Sequence, residues 1–525
     1  MRRQQILRYL GEGRLRDAGL PAAVVPAAAF ATVDVATAAV ATSAVAHKVI
    51  SIPPEFSPRD YAAYLLSIDA EIEHCLMVQY LYGAYSMGGP QVPPEYRELV
   101  REWQEVILGI AKEEMGHLMS VQNVLRLIGA PLHLERDDYP WDTPFYPFPF
   151  MLEPLTLDSL AKYVFTESPE HWKGGALGDE IRARVDAQAD NPHKVAELFG
   201  VLIPLIQNPQ TIPDEAFDPD TWPFQADWAE WGRGYHGGQR GNLTRSGIPQ
   251  TPDVLVVPLA SRDDAVSALN AVATQGEATS GDQPSHFVRF LSIYVEMVAA
   301  LEGRTITPEQ WDAARPADMG AASWRQAYRE ERLKRCTHRA GWAPSRAVAV
   351  NPYVALDTAE LPEQGGTPTT PITHPESRLW AHLQNVRYRM LLDFLSHSFA
   401  LDGGLRSAGR LTPRGTVINA AFGEMYNLRA LAEVLMGSPV SDNPEDGFAG
   451  PPFQTPYTLN IPISERDRWR GHLDRLEASR VLMDHLLAIC AESRRTYLYA
   501  LREADEKLGQ LARTILAGSV DPALI

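Results

Sequence analysis

Glu114 and His117 stand three residues apart in the stretch Gly109 to Gly129, GIAKEEMGHLMSVQNVLRLIG. The apolar residues of that stretch, Ile110, Met115, Leu118, Met119, Val121, Val124, Leu125 and Ile128, recur at spacings of three and four, which predicts a long helix with one buried side. Positions i and i+3 share a helix face, so the carboxylate and the imidazole project together. Glu-x-x-His on an apolar face is the half-site from which four-helix bundles build carboxylate-and-imidazole metal centres. One such match is weak in a chain with 66 acidic residues and 14 histidines, where an interface histidine beside exposed acids is the bland alternative. It gains weight from other carboxylates and imidazoles that neighbouring helices could bring to the same interior.

The first of these is Glu73. The run Glu71-Ile-Glu73-His74 lies among Leu65, Leu66, Ile68, Ile72, Leu76, Met77, Tyr80 and Leu81. Burying a carboxylate in such surroundings is costly unless a cation or hydrogen bonds compensate, so Glu73 is expected to meet a metal, with a solvated helix edge as the alternative. Ser57-Pro58 reads as the start of this helix and Gly88-Gly89-Pro90 as its end. Pro93-Pro94 then opens the Glu-x-x-His helix, and a short turn between two long helices makes them an antiparallel pair. Leu255 to Glu277 reads as a third long helix with Ser261 as a plausible cap, and Pro284 to Met297 as a fourth. Glu277 would end the third and His286 would sit in the first turn of the fourth, so both could reach one end of the interior. Arg289, one turn after His286, is a candidate for holding a substrate carboxylate, with a structural ion pair as the alternative.

Composition narrows the class. The net charge is −18 and there is no Lys/Arg block, which argues against a nucleic-acid partner. Cys75, Cys336 and Cys490 are too few and too scattered for a disulfide framework or a zinc ribbon, and Cys336 reads as a surface thiol. No strongly apolar run of membrane-spanning length occurs. These features fit a cytoplasmic protein with no membrane partner. Residues 1–50, with an Ala/Val/Thr-rich stretch, read as a flexible extension. Between the helix pairs, residues 131 to 156 form a Pro- and aromatic-rich loop, Leu157 to Glu167 a short amphipathic helix, and the chain from there to Thr251 an irregular segment with one helix over Val195 to Gln207. Beyond Thr370 the apolar stripes of further helices follow, one of them starting at a Ser464/Asp467 capping box.

Four motifs in order, Glu73-His74, Glu-Glu-Met-Gly-His117-Leu, Gln275-Gly-Glu277-Ala and Ser285-His286-Phe-Val-Arg289-Phe290, resemble the ferritin-like domain of the iminophenyl-pyruvate dimer synthases, the coupling enzymes of violacein- and rebeccamycin-type biosynthesis. Ala449-Gly-Pro-Pro-Phe453-Gln-Thr-Pro-Tyr457 and the later Arg468-Trp469 and His472-Leu473 are similar to the same family's C-terminal region. Glu277 stands in Gly-Glu-Ala where the family pattern has Gly-Glu-Gly, which leaves the carboxylate in place.

The expectation is therefore an all-α protein: a ferritin-like four-helix bundle over residues 51–305 with an additional C-terminal helical region, 306–525, packing on it. Glu73, Glu114, His117, Glu277 and His286 are the expected metal ligands. Carboxylates and imidazoles suit iron, in a mononuclear or dinuclear site, with manganese as a second choice; haem stays open. The function expected is a non-haem iron oxidase or oxygenase of natural-product metabolism that uses dioxygen or peroxide on an amino-acid-derived small molecule. A non-catalytic ferritin-like scaffold is the alternative, and a second copy of the chain is a candidate partner.

Overall fold

A computed structural model describes residues 52–139, 148–189, 192–232, 254–276, 284–354, 369–407, 409–455 and 462–518. The expected N-terminal extension and Glu277 lie outside these residues.

Helix α1, Pro58–Ser86, starts where Ser57 Oγ accepts the Asp60 amide at 3.2 Å and Pro58 fills the first turn. It ends at Gly88 and Gly89, whose φ values of 83° and 113° carry the chain out of helical geometry without the penalty a Cβ would bring. A 3₁₀ turn at Pro94–Tyr96 leads into α2, Arg97–Leu127. The two helices pack along their lengths, with α3 (Leu157–Thr166) and α7 (His286–Met297) completing a four-helix interior. Helices α4 (Gly175–Asp186), α5 (Ala196–Gln207) and α6 (Arg262–Gly276) flank it. Every residue of α1 from Ile68 to Tyr80 is buried, polar ones included, so this stretch lacks a wet face.

The third long helix begins later than its apolar pattern suggests. Residues 254–259 run against α2 outside helix and strand, with a tight turn where the Val256 amide donates to the Val254 carbonyl at 3.0 Å, because Pro258 has no amide proton to give a helix and biases Val257 away from helical geometry. Asn123 Nδ2 donates to the Val257 carbonyl at 2.9 Å, and Ser120 Oγ donates to that of Leu255. The helix starts only after Ser261, whose Oγ accepts the Asp264 amide at 3.2 Å.

The C-terminal region is a second helical array. Its helices are α8 (Pro375–Ser398), α9 (Pro413–Leu435), α10 (Glu465–Ile489) and α11 (Glu492–Leu516), the last a helix beyond the one the capping box announces. Ser464 does cap α10, accepting the Asp467 amide at 3.1 Å. Tyr388, Leu391, Phe394 and Phe453 share one apolar core with residues of α1 and α2. Two two-stranded pairings, Pro352–Tyr353 with Thr370–Pro371 and Arg406–Ser407 with Arg410–Leu411, occur among the described residues, beside isolated bridges such as Met87 with Ser345. Cys336 is a correction to the surface thiol expected: it is buried, its Sγ donates to the Arg332 carbonyl at 3.3 Å, and burial pushes its pKa up to about 12. No helix of the described residues is long and apolar enough to cross a membrane.

Candidate metal centre

The four-helix interior brings Glu73 from α1, Glu114 and His117 from α2 and His286 from α7 together, all of them buried. Glu114 lies between the two imidazoles: its Oε2 is 2.9 Å from His117 Nδ1 and its Oε1 is 2.9 Å from His286 Nδ1. Glu73 Oε2 approaches the same His117 nitrogen at 3.3 Å. The rings are nearly stacked, with centroids 5.3 Å apart. One atom each from Glu114, His117 and His286 all fall within 4.8 Å of one another.

Each imidazole has its outer nitrogen tied. Gln275, on α6, accepts from His117 Nε2 at 2.8 Å, and Glu113 Oε2 accepts from His286 Nε2 at 3.0 Å. In the neutral rings with both protons spent outward, the two Nδ1 lone pairs are the ones that face Glu114. Outer partners of this kind are what set the tautomer and direction of metal-ligating histidines. Glu113 is also bonded by Arg289. Burial opposes its ionisation most strongly, yet Arg289 and His286 hold its carboxyl well below the usual range. The structure thus places Arg289 against Glu113, buried behind a histidine, and not as a free clamp for a substrate carboxylate.

Sequence reasoning missed a fifth candidate ligand. Glu167 caps the end of α3, with Oε2 3.7 Å from His286 Nδ1 and Oε1 accepting the Tyr80 hydroxyl at 2.5 Å. The signal was present: Leu160, Tyr163, Val164 and Glu167 have the spacing of one helix face, so the acid continues a buried stripe. Asp69, one turn before Glu73, was also missed. It is fully buried, neither carboxylate oxygen has a hydrogen-bond partner, and burial followed by the Glu73 charge pushes its carboxyl up.

Three carboxylates and two imidazoles in a dry interior suit a divalent cation. Two ligands each about 2.1 Å from one cation, at a right angle, lie about 3 Å apart, which is the spacing of Glu114 to either imidazole. Glu114 Oε1 and His286 Nδ1, though adjacent, have no well-directed hydrogen bond, as expected of atoms aimed at a third centre. In metal-free form protons must fill that role. Burial pushes the Glu114 carboxyl well above its usual range. For His286 burial works against charge, but Glu114 and the surrounding carboxylates raise its pKa to about 10. For His117 too burial opposes charge, and Glu73 leads the contacts that leave its pKa raised. A full di-iron set has Glu-x-x-His on two helices; here Gln283-Pro-Ser-His286 replaces the second glutamate with an amide.

Residues 66–295 match the ferritin-like family model, so the bundle is a ferritin-like domain by sequence as well as by architecture. The chain is also 27% identical over 414 residues to dichlorochromopyrrolate synthase from Lentzea aerocolonigenes, an alignment that covers 73% of this chain and 35% of that protein. This is the family resemblance read from the motifs. The chain spans about a third of the length of that curated relative. No solved structure gives a significant match.

Proposed function

We propose that the protein is a metal-dependent oxidase or oxygenase of natural-product metabolism, with non-haem iron held by Glu73, Glu114, His117, Glu167 and His286. The observation that carries this reading is the Glu114 carboxylate set between two imidazoles whose outer nitrogens are already occupied. Iron in such a set supplies one-electron chemistry and a place for dioxygen or peroxide to react beside an organic substrate. The chain's own residues supply the rest. Gln275 and Glu113 orient the imidazoles, Arg289 offsets the Glu113 charge, Tyr80 positions Glu167, and burial keeps water from the reacting centre. The name of the Lentzea protein favours small-molecule synthesis over metal storage, and the substrate expected is an amino-acid-derived aromatic compound or its imine.

The test is elemental analysis after anaerobic Fe(II) loading, followed by oxygen-uptake measurements with aromatic amino acids and their imines. Iron bound by the wild type, lost in His117→Ala, with substrate-dependent oxygen consumption, is the expected result. No metal uptake, or full retention by His117→Ala, would remove the basis of the reading. Metal without any oxygen consumption would leave a ferritin-like scaffold.

A further inference from the structure

A cavity of about 250 Å³ lies between α1 and α2 on one side and α8 and α9 on the other. Its wall is almost wholly apolar, including Met77, Met115, Leu391, Phe422 and Phe453. That is larger than the roughly 150 Å³ apolar cavity known to admit benzene. Cores normally close such spaces, because each lost contact costs stability. Two features show that this one is shaped rather than left over. Phe453, on its wall, is a non-glycine residue at φ 49°, and its carbonyl accepts from the buried Arg136. Backbone strain of this kind collects at binding sites. The Phe453 ring also meets that of Tyr388 edge-on at 5.2 Å, fixing a second aromatic wall.

The mouth has the opposite chemistry. Lys112 and Arg429 stand there together with Tyr426, whose large ring is 76% exposed. Arg429 pairs with the exposed Glu433 at 3.3 Å, whereas Lys112 makes no hydrogen bond or ion pair among the described residues. Partial burial, with the adjacent Arg429, lowers the Lys112 pKa. Two cations converging on one apolar opening suit an anion whose body goes inside.

The cavity also shares its helices with the metal centre. Met77 is one turn after Glu73 and Met115 follows Glu114. Tyr388, on the cavity wall, bonds His74, the residue after Glu73.

We propose that this cavity is the pocket for the organic substrate and that it takes a small aromatic carboxylate, ring inward and carboxylate at Lys112 and Arg429. The proposal rests on the oxidase reading for calling the ligand a substrate; the binding site itself rests on the cavity and its rim. Full-length protein, loaded with Fe(II) under anaerobic conditions, is titrated calorimetrically with 2-naphthoate and with the uncharged 2-naphthamide. Saturable naphthoate binding is expected, about tenfold tighter than naphthamide. Lys112→Glu should bring naphthoate down to the naphthamide level. Leu391→Trp should abolish both, and Ala111→Leu, a smaller intrusion from the opposite wall, should weaken both if the larger side chain upsets folding. Absence of saturable naphthoate binding, or binding indifferent to Lys112→Glu and to the filling substitutions, overturns the pocket. Metal analysis of the same samples separates the two readings. Iron bound without naphthoate binding sinks the pocket alone, and naphthoate binding to a protein that takes up no iron sinks the oxidase reading while the pocket stands.

Discussion

Which nitrogen of each histidine faces inward decides what the centre can bind. Glu113 is the neighbour of a ligand and is itself turned to the far nitrogen of His286, so it acts on a metal only through that ring. Glu113→Gln keeps the shape, removes the charge and should weaken Mn(II) or Fe(II) affinity by about 10- to 100-fold without unfolding the protein, as measured by metal titration beside circular dichroism. The same ring governs pH dependence. With its pKa raised to about 10, His286 carries a proton at neutral pH that metal must displace. Apparent affinity should therefore rise with pH, by about tenfold per unit for each proton released; calorimetry in buffers of different ionisation enthalpy would detect that release, and a flat profile between pH 6 and 8 would show that the site is already deprotonated. The sign reverses for the metal-free fold. A raised histidine pKa stabilises fully below the unfolded value of about 6.5, and that support is lost as the pH climbs through about 10. Glu73, Glu114, His117 and His286 were legible because a charged group inside a periodic apolar stripe has few reasons to be there. Glu167 obeys the same rule but closes a helix of ten residues, where the stripe is too short to stand out. Arg289 was legible as a charge near the site, while its partner depended on which of the two adjacent glutamates, both in contact with His286, lay on the outer side of that ring, something spacing along one helix does not determine.

At the scale of elements, α2 is held against the irregular segment 254–259, and at Gly116 the missing side chain makes room for Val254. A Cβ there would sit 3.1 Å from Val254 Cγ1 and 3.3 Å from its Cα. Backbone yields less readily than a side chain, so Gly116→Ala should shift that segment or strain the helix beside His117. A loss of about 1–3 kcal/mol in urea unfolding is expected, together with lower metal content. Unchanged stability would show that the segment is free to move away. Helix starts were legible where a side chain caps an amide, as at Ser57, Ser261 and Ser464. The apolar run from Leu255 misled because it packs against α2 as irregular chain, and one proline, more than the pattern around it, decides that geometry. The break between α10 and α11 was illegible for the opposite reason, since Cys490 and Ala491 carry no proline or glycine to announce it.

For the whole molecule, the position of the C-terminal array determines whether the bundle can stand alone. All-α architecture follows from periodicity and short turns, but the interior takes the short helix α3 where the apolar pattern put the 255–277 helix, and the docking of one array on another depends on long-range contacts that periodicity does not encode. Here those contacts are apolar and polar together: Tyr388, Leu391 and Phe394 enter the core of α1 and α2, Arg136 bonds the Phe453 carbonyl, and Tyr82 Oη donates to the Ala349 carbonyl at 2.5 Å. Cutting the chain after residue 305 would bare this face. Leu, Phe and Tyr side chains would meet water at a cost of about 1.5–3 kcal/mol for each large one fully exposed, and Arg136 would lose its carbonyl partner. A few such losses equal the whole stability of an ordinary domain. The fragment 1–305 is therefore expected to keep helical far-ultraviolet dichroism while losing near-ultraviolet signal and binding a hydrophobic dye, and to hold Fe(II) less tightly than the full chain. A fragment that unfolds cooperatively at the full chain's temperature and retains its iron would show that the metal centre is built by the bundle alone.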